Sequence, residues 1–352
     1  MVHFIKHHLQ RGFVGIACLF FCLGIGNASA AKHRNIVFFL VDDLGWADLA
    51  CYGSRYHETP NIDRLAASGM LFTDGYAASP ICSPSRSSIL TGKYPARTEN
   101  TQYFGGPQPN ERYKRNTILL PAPYKSVMDL DEQTLAETVK QHGYATFFAG
   151  KWHLGHEGFW PEDQGFDINK GGTHKGGPYG GNKYFSPYDN VRLEDGPEGE
   201  HLPDRLASET VQFMRAHQDQ PFFAYVSFYS VHAPFMAPKD LEEKYKNKPT
   251  SAEMWTSEGK TKVQQAQRHP VYAGMVEAMD QAVGKVLDGL EELGVANSTI
   301  VVFTSDNGAV STGGGWAATN YPLRTGKGWL YEGGSWPWRN ALNSVDNSGW
   351  TR

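Results

Sequence analysis

The chain has 352 residues, with 33 Lys and Arg against 37 Asp and Glu, 40% hydrophobic and 13% aromatic residues, and 20 prolines. This composition excludes a disordered tail, a collagen-like repeat and a disulfide-stapled mini-protein. A formal charge of −4 gives no electrostatic case for a general nucleic-acid binder, so an anionic substrate would have to meet locally placed cations.

Residues 1–30 carry Lys6 and Arg11, then the apolar run Phe13 to Ile25, then Ala28-Ser29-Ala30. That is the arrangement of a secretory signal peptide cleaved after Ala30. The apolar run is shorter than the ~20 residues a spanning helix needs. The mature chain is therefore expected to be secreted or periplasmic, with no stable membrane insertion. Only Cys51 and Cys82 then remain, and in an exported chain the plain structural reading of two cysteines is a disulfide between them.

The remainder alternates apolar, β-rich runs with helical patterns, and 31–334 reads as one α/β catalytic domain. Strands are predicted over Asn35–Val41, Tyr144–Ala149, Pro221–Phe228 and Ser298–Thr304. Helices are predicted over Leu135–His142, Asp204–His217 and Val271–Leu293, where Met275, Met279, Val286 and Leu290 recur at helical spacing and belong to the core. Near-continuous apolar strands separated by helices imply a largely parallel central sheet flanked by helices on both faces.

Ligands of such sheets bind just beyond the carboxyl ends of the strands. Asp42 and Asp43 follow the first strand, Lys151 and His153 the second, His232 the third, and Asp306-Asn307-Gly308 the fourth. The carboxylates and the amide suit a hard divalent cation, Ca²⁺ or Mg²⁺, while the histidines leave zinc open by ligand type. Taken singly, each acidic cluster is also an ordinary cap or turn; two at matching strand ends favour a metal. Lys151, His153, His232 and Lys327 offer positive charge and proton donors for a tetrahedral oxyanion. His142, His156, His174 and His201 are expected on the surface or in loops, and the Gly-, Tyr- and Asn-rich stretch from Trp160 to Pro203 is expected to shape a pocket. Pro84 fits the first turn of a helix, which would put Cys82 near its N-terminus, where the dipole favours an anionic nucleophile or a bound anion.

Cys82-Ser83-Pro84-Ser85-Arg86 has the Cys-x-Pro-x-Arg pattern of the type I sulfatases. From about residue 34 to about residue 334 the chain resembles an arylsulfatase-type sulfatase. Further matches are Asp42-Asp43-Leu44-Gly45, Thr59-Pro60-Asn61-Ile62-Asp63, Leu90-Thr91-Gly92, the Gly150 to Gly155 segment, His232-Ala233-Pro234, the Thr304 to Gly308 segment, Gly326-Lys327-Gly328 and Glu332-Gly333-Gly334. The resemblance implies an alkaline-phosphatase-like fold and hydrolysis of an organic sulfate ester, carried by a sulfated small molecule or glycan. It implies that a formylglycine-generating enzyme oxidises Cys82 to formylglycine. Calcium ligands would be Asp42, Asp43, Asp306 and Asn307, completed by an oxygen of the modified Cys82. In such enzymes one hydroxyl of the hydrated aldehyde attacks sulfur as the alcohol leaves, and the second then expels sulfate. Arg86 would hold the modified residue, Lys151 and Lys327 would bind sulfate oxygens, His153 would partner the formylglycine hydroxyls, and His232 would be the acid for the leaving group. A disulfide from Cys82 to Cys51 is then not expected, and Cys51 becomes a buried unpaired thiol. A phosphatase or phosphodiesterase of the same superfamily would typically have Ser or Thr at position 82; a catalytically inactive remnant is the alternative of another class.

Sulfatases of this type usually continue into a smaller C-terminal antiparallel subdomain. Residues 335–352 show neither strand alternation nor helical periodicity, so that subdomain reads as missing and the tail as divergent, with a frameshift or truncation as the leading expectation and a short variant with a novel tail as the alternative. Such a loss would leave a strand edge uncovered.

Overall fold

The computed structural model describes residues 33–109, 119–312 and 316–335, and the backbone of 341–343. The predicted leader over 1–30 and most of the predicted tail lie outside the described residues. Strands are β1 (Asn35–Val41), β2 (Met70–Leu71), β3 (Ala145–Gly150), β4 (Ile168–Lys170), β5 (Phe222–Phe228), β6 (Trp255–Glu258), β7 (Thr261–Gln264), β8 (Thr299–Ser305) and β9 (Ala341–Asn343). The predicted runs are β1, β3, β5 and β8, displaced by at most one residue.

A seven-stranded sheet has the order β2-β9-β8-β1-β5-β3-β4, and β6 pairs with β7 in a separate hairpin. The span from β8 to β4 is parallel throughout. Every residue of β5 is buried, because the strand lies mid-sheet with both faces covered. Its alternation sorts the two layers: Phe222, Ala224, Val226 and Phe228 join one apolar cluster, and Phe223 and Tyr225 join the other.

The helices that shape the site and core are α1 (Cys82–Thr91), α2 (Leu135–Gln141), α3 (Leu202–Ala216) and α4 (Pro270–Glu292). On the first face α3 and α4 supply Leu206, Phe213, Met275, Met279, Val286 and Leu290 to the core, as the helical spacing predicts. On the second face α1 and α2 contribute Leu90, Ala136 and Val139 beside Trp152, Trp160 and Phe166. No helix among the described residues is long and apolar enough to cross a membrane.

The tail differs from the sequence expectation. After a single helical turn at Glu332–Ser335, β9 pairs antiparallel with both β8 and β2. Three residues held by backbone pairing need no alternation of side chains, so no periodicity announces them. The Val301–Phe303 stretch of the β8 edge is thereby covered. Cys51 and Cys82 are both free, and Cys51 is only half-buried.

One glycine fixes the end of β3. Gly150 has φ +103°, and a Cβ there would lie 1.9 Å from the Ser227 carbonyl oxygen on β5. Gly150→Ala is therefore expected to destabilise the chain by roughly 2–4 kcal/mol, read as a lower urea midpoint with an unchanged slope.

Candidate active site at the carboxyl ends of the parallel strands

Because β8, β1, β5 and β3 run in the same direction, the residues that follow them emerge at one edge. Asp42 is fixed between β1 and β5: its N–H donates to Ser230 O (2.9 Å), and its carbonyl accepts from Val231 N–H (2.7 Å). The Asp306 N–H donates to Val41 O at 3.2 Å, and the Asp43 N–H donates to Asp306 Oδ1 at 3.2 Å. Asp43 and His153 adopt left-handed backbone conformations, φ +62° and +58°, rare for residues with a side chain and concentrated at functional sites.

α1 begins at Cys82, with Pro84 in its first turn as the sequence indicates, and no side chain caps it. The Cys82 thiol donates to Asp42 Oδ1 at 3.7 Å. One turn later Arg86 turns inward, with Nε donating to Asp306 Oδ2 (2.8 Å) and Nη1 to Lys151 O (2.9 Å) and Ser227 Oγ (2.8 Å). Lys151 Nζ donates to Asp42 Oδ2 at 2.5 Å, and Lys327 Nζ to Asp43 Oδ2 at 2.6 Å. Each sequence-predicted site residue thus reaches the same cluster.

Burial governs its electrostatics. It would raise the Asp43 carboxyl, but Lys327, His232 and Lys151 more than offset it and hold the group well below the usual range. Asp306 is pushed up to about 6, by burial first and then by Asp42, against the pull of Arg86 and Lys151. Burial also pushes the Cys82 thiol up to about 11. His153 falls well below its ordinary value and His232 to about 4, burial being the main cause in both.

The histidine tautomers follow from their partners, because a carbonyl oxygen can only accept. His232 Nδ1 donates to Ala233 O (2.6 Å), which leaves Nε2 facing Asp43 Oδ2 at 3.8 Å. His153 Nε2 donates to Phe104 O (3.1 Å), and its Nδ1 is a buried acceptor with no partner among the described residues.

Three observations test the cluster as a cation site. One ligand atom each from Asp42, Asp43 and Cys82 lie within 4.8 Å of one another. Asn307 donates through Nδ2 to Asp43 Oδ1 (2.7 Å) and keeps Oδ1 buried without a partner among the described residues. The set is rich in hard oxygen donors. The residues fit a hard divalent cation.

A cavity of about 560 Å³ opens above Cys82. Cys82, His153, His232 and Lys327 line it, and so do Tyr103, Phe104, His174, Lys175 and Tyr179. The sequence reading placed His174 among surface and loop residues; it is exposed, but on the wall of this cavity. Its sign was the loop expectation for 160–203, which had no periodicity to single out one residue. His201, expected on the surface or in a loop, precedes α3 outside any helix but is buried, its ring 5.0 Å from that of Phe185.

A family model described as Sulfatase matches residues 34–336. The N-acetylgalactosamine-6-sulfatase of Canis lupus familiaris is 34% identical over 358 residues, covering 92% of this chain and 61% of that protein. Human arylsulfatase A is 33% identical, covering 87% of this chain and 58% of that protein. Among solved structures, Ps i-CgsB in complex with k-i-k-neocarrahexaose matches with a TM-score of 0.67 at 28% identity, covering 88% of this chain and 65% of that one. The chain therefore spans about three fifths of the length of the curated relatives it matches.

Proposed function

The chain belongs to the sulfatase family, and on that premise we propose that it hydrolyses a sulfate ester of a carbohydrate to the alcohol and inorganic sulfate. The observation that carries this reading is the cluster itself: a cysteine on the first turn of a helix, set against Asp42, beneath a cavity ringed by lysine and histidine. The related N-acetylgalactosamine-6-sulfatase and the carrahexaose-bound structure support a sugar as the alcohol.

Formylglycine made from Cys82 by a formylglycine-generating enzyme would supply a geminal diol as nucleophile. Ca²⁺ held by Asp42, Asp43, Asp306, Asn307 Oδ1 and an oxygen of the modified residue 82 would supply positive charge beside the sulfate. The chain's own groups do the rest. Lys151 and Lys327, each already on a buried aspartate, would bind sulfate oxygens; Lys327 lines the cavity, and Lys151 lies deeper. His153 Nδ1, the unpartnered acceptor, takes the proton of a hydroxyl at position 82. His232 is held through Nδ1–H by Ala233 O; to act as the acid for the leaving alcohol it would carry a second proton on Nε2, which faces the Asp43 carboxylate, and give up that proton. Arg86 fixes the first turn of α1, and so the place of the reacting atom. Export through the 1–30 leader is part of the same proposal.

The test is sulfate release, measured by ion chromatography, from a panel of sulfated saccharides and one aryl sulfate, with conversion of Cys82 followed by mass spectrometry. Release should rise with the converted fraction; none from folded, fully converted protein would overturn the reading. Ca²⁺ at a hundredfold excess over Kd is expected to raise Tm by about 4 °C. A Tm indifferent to both Ca²⁺ and chelator would remove the metal from the reading.

A further inference from the structure

The mouth of the cavity carries charge that the floor does not need. Lys327 on the floor is matched by Asp43, and the deeper Lys151 by Asp42. At the mouth, Lys175 Nζ donates to the main-chain oxygen of Asp189 at 3.3 Å. The Asp189 carboxylate is its near neighbour, since a Cβ on Gly180 would lie 3.1 Å from Nζ and 3.0 Å from Asp189 Oδ2, but among the described residues no carboxylate forms an ion pair with it. Two of its three donors are left for a ligand. The neighbouring His174 ring is exposed and has no hydrogen-bond partner among the described residues. Among the described residues, no Asp or Glu lines the cavity.

This mouth is built onto the floor. The His153 N–H donates to Thr173 O at 3.1 Å. A Cβ on Gly176 would come within 2.7 Å of His153 Cε1, so the segment after Lys175 lies directly on that imidazole and only glycine permits the approach. The Tyr179 ring meets His232 edge to face at 6.5 Å. Tyr103 and Tyr179, 43% and 50% exposed, flank the opening with amphipathic rings.

We propose that His174 and Lys175 form a second anion subsite, which receives a sulfate or carboxylate on the sugar next to the one bearing the scissile ester, with Tyr103 and Tyr179 flanking that sugar. The inference rests on the reading of the floor as a sulfate-ester site and narrows its substrate to an oligosaccharide with at least two anionic groups. A monosulfated monosaccharide or an aryl sulfate leaves Lys175 unused.

The test is calorimetric binding to the full chain with Cys82 unconverted, so that nothing turns over. The ligands are monosulfated disaccharides covering each ring position, and the same compounds with a sulfate or a carboxylate added on the neighbouring sugar. The added anion is expected to tighten binding about tenfold, and less so in high salt. In the His174→Ala/Lys175→Ala double variant the ratio should fall below about twofold, and Lys175→Arg alone should preserve it. The sulfate and carboxylate arms show which anion is preferred. No binding by any member of the set, equal binding with and without the added anion, or an unchanged ratio in the double variant would overturn the subsite. Discrimination without sulfate release by fully converted protein would instead sink the hydrolytic reading and leave the subsite standing; release without discrimination would do the reverse.

Discussion

Cys82→Ala is expected to abolish sulfate release, a loss on the order of 10⁵-fold or more in kcat, with the melting temperature within a few degrees of the parent. The two halves of that expectation come from different parts of the structure. Cys82 is the first residue of α1, where alanine is at least as good a helix former, and its side chain is small. Its thiol makes one long contact, 3.7 Å to Asp42, so truncation removes little packing and one weak hydrogen bond. On the proposed reading, catalysis would depend wholly on what that position becomes. Unconverted Cys82 should be as inactive as the alanine variant, and the tryptic peptide carrying it should be lighter by the difference between a thiol and an aldehyde once activity appears. Full turnover by the alanine variant would place the nucleophile elsewhere.

The contrast between what the sequence discloses and what only the structure discloses runs through particular residues. β1, β3, β5 and β8 are legible because both faces of the sheet are covered, so their runs are nearly continuous in apolar residues. Parallel strands deliver their carboxyl ends to one edge, so Asp42, Asp43, Lys151, His153, His232, Asp306 and Asn307 could be gathered from their offsets alone. Charge pairing was out of reach. Nothing in local sequence couples Lys327 to Asp43 across 284 residues, or Arg86 to Asp306 across 220. The polar β6–β7 hairpin and the three-residue β9 lie below the length at which a period can be read. His174 and Lys175 sit in a glycine-rich loop whose shape is set by contact with His153, which no periodicity encodes. Formylglycine at Cys82 enters through the resemblance of Cys82-Ser83-Pro84-Ser85-Arg86 to a family pattern, and the physical chemistry of the residues reaches only as far as a metal and an anion pocket.

Arg86→Ala is expected to cost about 3–5 kcal/mol of stability, the range for removing one partner of a buried ion pair, and to lower Tm by roughly 4–8 °C. Arg86 is 2% exposed and serves groups from three strands: Asp306 after β8, Lys151 O after β3 and Ser227 Oγ on β5. Its remaining nitrogen, Nη2, lies 3.5 Å from Asp42 Oδ1 without forming a hydrogen bond, so Asp42 feels the charge rather than a directed donor. Alanine would leave Asp306 Oδ2 buried without that donor, beside Asp42 and Asp43, and would free the α1 turn that positions Cys82. Lysine keeps the charge but cannot reach three divergent acceptors with one ammonium, so Arg86→Lys should recover about half of the lost stability. The pairing itself is isolated by Arg86→Met, Asp306→Asn and their combination, for which a coupling of about 0.5–3 kcal/mol in denaturant midpoints is expected. Additive losses, or an alanine variant that melts within 2 °C of the parent, would mean that Lys151 and Lys327 neutralise the aspartates without Arg86; the floor of the cavity would then be held by two lysines rather than by the guanidinium at its centre.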